Sequence, residues 1–296
     1  MTETSIPTRI VDTLRAIVPR RFRADIPVVP VVRLTGIIGF STPLKPGLTL
    51  ASCARSLERA FAVRRARAVA LLINSPGGSA VQSHLIFRRV RALAEEKKVP
   101  VIAFVEDVAA SGGYMIACAA DEIVADISST VGSIGVVGGS FGFHRLLEKI
   151  GVERRLYTSG EHKAMLDPFL PENPKDVDRL KAIQKEIHEM FIALVSSRRG
   201  PKLTGPESAL FSGEFWTGSK ALELGLIDRL GDLRSFLRER FGEKVATPLI
   251  AAERGLFGRR LPGIGSAADA EWDRVGLAES IVSALEARAL WARYGL

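Results

Sequence analysis

The chain has 296 residues, which is one large or two small domains and is ample for a sizeable buried core. Apolar residues make up 47% and charged residues 25%, a balance that excludes wholesale disorder, and two cysteines with four scattered histidines leave neither a disulfide scaffold nor a zinc cluster. The net charge of +8 rests on 30 Arg and 11 Lys, yet no Lys-rich tract, zinc-knuckle or RNP-like motif concentrates it, so nucleic acid is not an expected partner.

The chain opens Met1-Thr-Glu-Thr-Ser-Ile-Pro, without the basic and apolar regions of a signal peptide. Within residues 1–25, Ile10, Leu14, Ile17 and Val18 follow helical spacing among Arg9, Arg15, Arg20, Arg21 and Arg23. That pattern fits an interfacial anchor, or a helix packed on the body or on a partner subunit. The longest stretch free of charged residues, Ala68 to Phe87, is broken by Asn74-Ser-Pro-Gly-Gly-Ser79 and is not a membrane-spanning helix. The expectation is a body that is cytoplasmic or peripheral to the membrane.

Val28 to Leu34, Ala68 to Ile73 and Val99 to Val105 are short runs rich in β-branched residues and read as buried strands. Between them, Leu50, Cys53, Leu57 and Phe61, and then Val81, Leu85, Ile86, Val90 and Leu93, predict helices. The order is β-α-β-α. Further strands are expected at Glu122 to Ala125, Ser133 to Val137 and Arg154 to Thr158, with helices near Gly113 to Ala120 and Phe141 to Ile150. Asn173-Pro174 starts a long amphipathic helix through Arg199. Residues 26–254 thus form one α/β domain, and residues 255–296 a linker rich in Gly, Pro and Arg followed by a helical arm.

Two segments carry candidate chemistry. Asp107-Val-Ala-Ala-Ser111-Gly-Gly-Tyr114 places a serine at a strand-to-helix turn, where the hydroxyl stands clear of the backbone and the Gly112 N–H can face an oxyanion. The same pattern also suits a simple N-cap. One β-α unit upstream, Asn74-Ser-Pro-Gly-Gly78 is a second glycine turn whose N–H groups could complete an oxyanion hole.

Together, Asn74-Ser-Pro-Gly-Gly78, Ala110-Ser-Gly-Gly-Tyr114, Gly132-Ser-Ile-Gly-Val136 and Phe215-Trp-Thr-Gly-Ser-Lys-Ala-Leu-Glu-Leu-Gly-Leu-Ile-Asp228 resemble the signal peptide peptidase A family of serine peptidases, family S49. The likeness covers about residues 28 to 250. It implies a Clp protease/crotonase-like α/β spiral, here with helical N- and C-terminal extensions. It also implies peptide-bond hydrolysis by a Ser–Lys dyad without cofactor or metal. By the resemblance, Ser111 matches the nucleophile and Lys163 the general base. Gly78 and Gly112 match the oxyanion-hole turns, and Ser133 the serine that orients the lysine amine. The family shares its dyad between protomers of a ring-shaped homo-oligomer, so Ser111 and Lys163 are expected well apart in one chain, with Lys163 exposed. Expected substrates are extended apolar peptides, such as cleaved signal peptides or membrane-protein fragments. After the lysine the family favours small residues, whereas this chain has Ala164-Met-Leu-Asp167.

A lysine acting as base must be neutral, and a free amine with a pKa near ~10.4 must fall by about 3 units, roughly 4 kcal/mol, which desolvation can supply. Met165, Leu166 and Phe169 offer an apolar wall for that, while Glu161 and Asp167 oppose it if they come close. Three alternatives stand beside the dyad. His162 could serve Ser111 as base. Gly138-Gly-Ser140-Phe-Gly142 fits the G-x-S-x-G elbow of another hydrolase fold, and would need His144, His162 or His188. On the same superfold, a crotonase-type acyl-CoA enzyme or a non-catalytic peptide-binding ring scaffold would keep the glycine turns. Thr217-Gly-Ser-Lys220 reads as a helix N-terminus, not a phosphate loop, and the arginines at 64, 65, 67, 88, 89 and 91 as a solvated face, with an acidic membrane surface as the alternative.

Overall fold

The computed structural model describes residues 26–39, 47–251 and 288–296. The amphipathic segment 1–25, the linker and most of the helical arm lie outside the described residues. The chain order is β1 (Val31–Thr35), α1 (Leu50–Phe61), β2 (Val69–Ser75), α2 (Ala80–Lys97), β3 (Val101–Ala110), α3 (Gly112–Ala117), β4 (Glu122–Ala125) and β5 (Thr130–Gly132). There follow α4 (His144–Ile150), α5 (Pro174–Arg199), α6 (Glu207–Leu210), β6 (Phe215–Thr217), α7 (Gly218–Glu223), β7 (Arg229–Leu230) and α8 (Leu233–Phe241). The fold is the α/β architecture expected from the sequence.

Strands β1-β2-β3-β4-β7 run parallel in that order. Side chains alternate across the pleat and are covered on both sides. Leu71, Ala103 and Ile123 join the larger core under α1, α2, α3 and α5, while Ala70, Ile102, Phe104 and Val124 meet Phe236 and Leu237 of α8. This double burial is why these strands read as continuous apolar runs. The ten-residue β3 serves two partners along its length. Ile102 to Val105 pair with β4, and Val108 to Ala110 pair with β5, which in turn holds β6 antiparallel.

Local signals set the helix ends. Thr49 and Ser52 form a capping box on α1, Ser79 caps α2 at the Gln82 N–H, and Asn173 with Pro174 opens α5. Thr217 caps α7 in the same way, as expected for a helix start.

Two expected strands do not form. Beyond β5 the Ser133 N–H bonds to the Glu214 carbonyl at 2.6 Å and the chain turns at Gly135, so Ser133 to Val137 has no ladder to join. Arg154 to Thr158 is exposed and irregular, and among the described residues it pairs with no strand. A strand is completed by its partner, and among the described residues this segment has none. The helix expected from Phe141 begins only at His144.

Candidate active site

Sheet register brings the first two functional side chains together. The β3–β5 ladder ends with Ala110 opposite Gly132, so Ser111 and Ser133 are the next residue on each strand. The Ser111 N–H donates to the Gly132 carbonyl at 2.8 Å, which fixes the turn. Both serines take backbone conformations that favour glycine, with φ of +52° at Ser111 and +54° at Ser133. Ser111 makes no side-chain cap to α3, and among the described residues its hydroxyl has no hydrogen-bond partner. Ser111 is therefore no plain N-cap; the hydroxyl is left free.

The upstream glycine turn is pressed onto this serine. A Cβ at Gly77, where φ is +99°, would come within 2.8 Å of Ser111 Cβ and 2.9 Å of the Ala110 carbonyl oxygen. The turn is pinned from the other side by Ile38, whose N–H donates to the Gly77 carbonyl and whose carbonyl accepts from the Ser79 N–H, each at 2.8 Å. The intervening Gly78 N–H has no acceptor among the described residues. Gly112 opens α3, so its N–H has no intrahelical acceptor. Among the described residues, two N–H donors without acceptors therefore lie in the two turns that meet at this free hydroxyl.

Gly78, Ser111, Gly112 and Ser133 all line one cavity of about 590 Å³. Much of its wall is apolar, from Met115, Val136, Val137, Ile187 and Phe191, and no aspartate or glutamate lines it among the described residues. An acyl-CoA enzyme of the crotonase type would need carboxylates there, and this wall offers none.

Lys163 lies elsewhere. It lines neither this cavity nor the neighbouring one of about 720 Å³, to which Glu161, His162 and Ala164 to Pro168 belong. Its side chain is exposed, and its amine has no hydrogen-bond or ion-pair partner among the described residues. Asp167 is turned away to Arg154 at 2.6 Å and to the Phe169 N–H, bonds that hold its carboxyl below the usual range. A single chain thus joins Ser111, Gly78, Gly112 and Ser133 in one cavity and leaves Lys163 out of it.

The histidine alternatives lose their geometry. Both ring nitrogens of His162 face the Arg179 guanidinium, at 2.8 and 2.9 Å, beside the other cavity. Ser140 sits in an irregular exposed loop, without the strand-turn-helix that an elbow requires. His188, on α5, lines the Ser111 cavity. Its Nε2 lies 3.1 Å from the Ile134 carbonyl, which can only accept, so that nitrogen carries its proton. The thiols offer no rival nucleophile, since burial pushes Cys53 up to about 11 and Cys118 up to about 12.

One further group reaches the site from a part of the chain that no local pattern connects to it. Residues 288–292 form a helical turn, and Leu290, Arg293 and Tyr294 line the Ser111 cavity. The Tyr294 hydroxyl donates to Ser133 Oγ at 3.3 Å.

A free serine hydroxyl that shares one cavity with two glycine turns, at the carboxyl end of the central strand β3, is the arrangement that a serine nucleophile requires. Comparison with known proteins gives the family. The model described as peptidase family S49 matches residues 93–243, and a Synechocystis protein carrying a protease name is 34% identical over 220 residues, 72% of this chain and 78% of that one. The chain belongs to peptidase family S49. A serine protease SPPA of Arabidopsis thaliana is 36% identical over 181 residues, 60% of this chain and 26% of that one. A Brucella abortus protein named Na(+)/H(+) antiporter NhaA is 58% identical over 287 residues, 96% of this chain. The chain spans only 39% of that relative's length.

Proposed function

We propose that this peptidase works through a Ser–Lys dyad assembled between protomers of a ring, with Ser111 of one copy and Lys163 of the next. The observation that carries the reading is the separation just described: nucleophile and oxyanion donors are ready in one cavity, while the matching lysine stands exposed outside it. Ser111 Oγ attacks the scissile carbonyl carbon as the Lys163 amine takes its proton. The Gly78 and Gly112 N–H groups hold the oxyanion, and Ser133 orients the amine. The resulting ammonium protonates the leaving amine, and the amine, neutral again, activates water to release the acyl group. Enclosure by the neighbouring copy supplies the desolvation that a neutral lysine needs.

The apolar cavity wall supports extended apolar peptides as substrates, of the kind left by cleaved signal peptides or membrane-protein fragments. A ring also admits extended chains and excludes folded ones. Among the described residues no helix is long and apolar enough to cross a membrane.

Mixing tests the shared site. Ser111→Ala and Lys163→Ala proteins, each inactive alone, should regain part of the activity when unfolded together and refolded, because some interfaces then pair an intact serine with an intact lysine. An active monomer, or no recovery in mixed rings of demonstrated composition, would sink the shared dyad.

A further inference from the structure

One wall of the Ser111 cavity is supplied by Leu290, Arg293 and Tyr294, and Tyr294 is held at its rim by two contacts. The Tyr294 ring meets Phe215 edge to face at 5.0 Å between centroids, and its hydroxyl reaches Ser133. Both ends of this seat are rigid. Ser133 is buried and tied by its N–H to the Glu214 carbonyl. Phe215 belongs to β6, which is laddered to β5. Even with Tyr294 against it, Phe215 stays 43% exposed, so the platform is open to other rings. An aromatic face beside a fixed hydroxyl matches a side chain that is apolar along its length and polar at its tip.

We propose that residues 288–296 are a tethered peptide ligand of the Ser111 cleft, held by Tyr294 in an aromatic subsite made by Phe215 and Ser133, and that this subsite selects aromatic side chains in substrates. The proposal rests on the reading of this cleft as the peptide site. It adds an occupant and a preference to that reading. The Tyr294 hydroxyl uses the same Ser133 Oγ that the lysine amine would need, so the segment withdraws before cleavage. Tethering raises the effective concentration of even a weak ligand, which keeps the cleft filled until a better-fitting peptide competes.

Binding is tested apart from catalysis. A fluorescent synthetic peptide of residues 288–296 is titrated by anisotropy into full-length protein carrying Ser111→Ala and Tyr294→Ala. Saturable binding is expected, weakened at least tenfold by Tyr294→Ala in the peptide and by less than threefold by Tyr294→Phe. Phe215→Leu in the protein should also weaken it tenfold, and the peptide series gives the same answer if that variant fails to fold. In the Ser111 protein, Tyr294→Ala should raise kcat/KM for short peptides several-fold, mainly through KM, and peptides with an aromatic residue should be preferred over leucine analogues. No binding, or equal binding of the Tyr and Ala peptides, overturns the proposal and leaves hydrolysis untouched. Loss of hydrolysis with binding retained would instead count against the dyad.

Discussion

Ser111 and Ser133 keep side chains at positive φ, where a non-glycine residue costs about 1–3 kcal/mol, and the surrounding hydrogen bonds hold them there. Ser111→Ala and Lys163→Ala should each lower peptide kcat/KM by at least about 10³-fold with melting temperatures little changed, since members of one catalytic unit fail together. Lys163→Arg should be as inactive, because a guanidinium does not deprotonate at working pH. Activity lost in His162→Ala but retained in Lys163→Ala would reassign the base. Gly77→Ala probes the floor beneath the serine. Its Cβ would displace Ser111, and a misplacement near 1 Å costs about 10²-fold, so kinetics should suffer beyond the modest drop expected in a melting curve. Ser111 and its glycine turns were legible because each motif is local in sequence. Tyr294 was not, as it reaches Ser133 across 161 residues that no local pattern connects.

Among the elements, the buried parallel strands β1 to β4 were readable because both their faces demand apolar residues. The failed strands at Ser133–Val137 and Arg154–Thr158 show the other case, where a β-like sequence depends on a neighbour that the pattern does not reveal. The end of α5 was likewise opaque in its chemistry. Arg199 is buried, donating to the Gly225 carbonyl and to Asp228 at 2.6 Å, while Lys202 and the Ile123 N–H complete the same carboxylate. Burial would raise the Asp228 carboxyl, but those donors outweigh it and hold it below the usual range. A carboxylate depressed on folding contributes stability that is present above its unfolded pKa of ~3.9 and lost as pH falls through the lower folded value. Stability should therefore decline below about pH 4. Asp228→Asn should cost about 3–5 kcal/mol at neutral pH, by leaving a buried guanidinium uncompensated, and should flatten that acid limb. Urea unfolding at pH 7 and below pH 4 checks both, and an unchanged midpoint at pH 7 would show that the pair does not anchor α5.

For the whole molecule, the decisive feature is an apolar surface left open on α4 and the chain around it. Helix α4 buries none of its residues, and Leu146 and Ile150 stand 52% and 60% exposed on it, one turn apart on the same face. Val137, Phe141, Val152 and Tyr157 extend the open surface along the adjoining chain. A seven-residue helix is marginal without packing, and an open apolar face of this kind suits a partner surface. In the proposed ring, the neighbouring copy covers this face and thereby brings Lys163 to its own Ser111. Assembly and activity should then be lost together. Leu146→Asp with Ile150→Asp lies outside the Ser111 cavity and alters no buried core, so the variant should keep its circular dichroism and its α/β body. Light scattering after gel filtration should show it as a monomer, and peptide hydrolysis should fall to the level of Lys163→Ala. Restoring assembly without the mutated face, by fusing the variant to an unrelated ring-forming protein, should not restore activity, because the two dyad halves would still be misaligned. A monomeric double variant with full activity would show instead that one chain closes its own dyad, and would remove the ring from the mechanism.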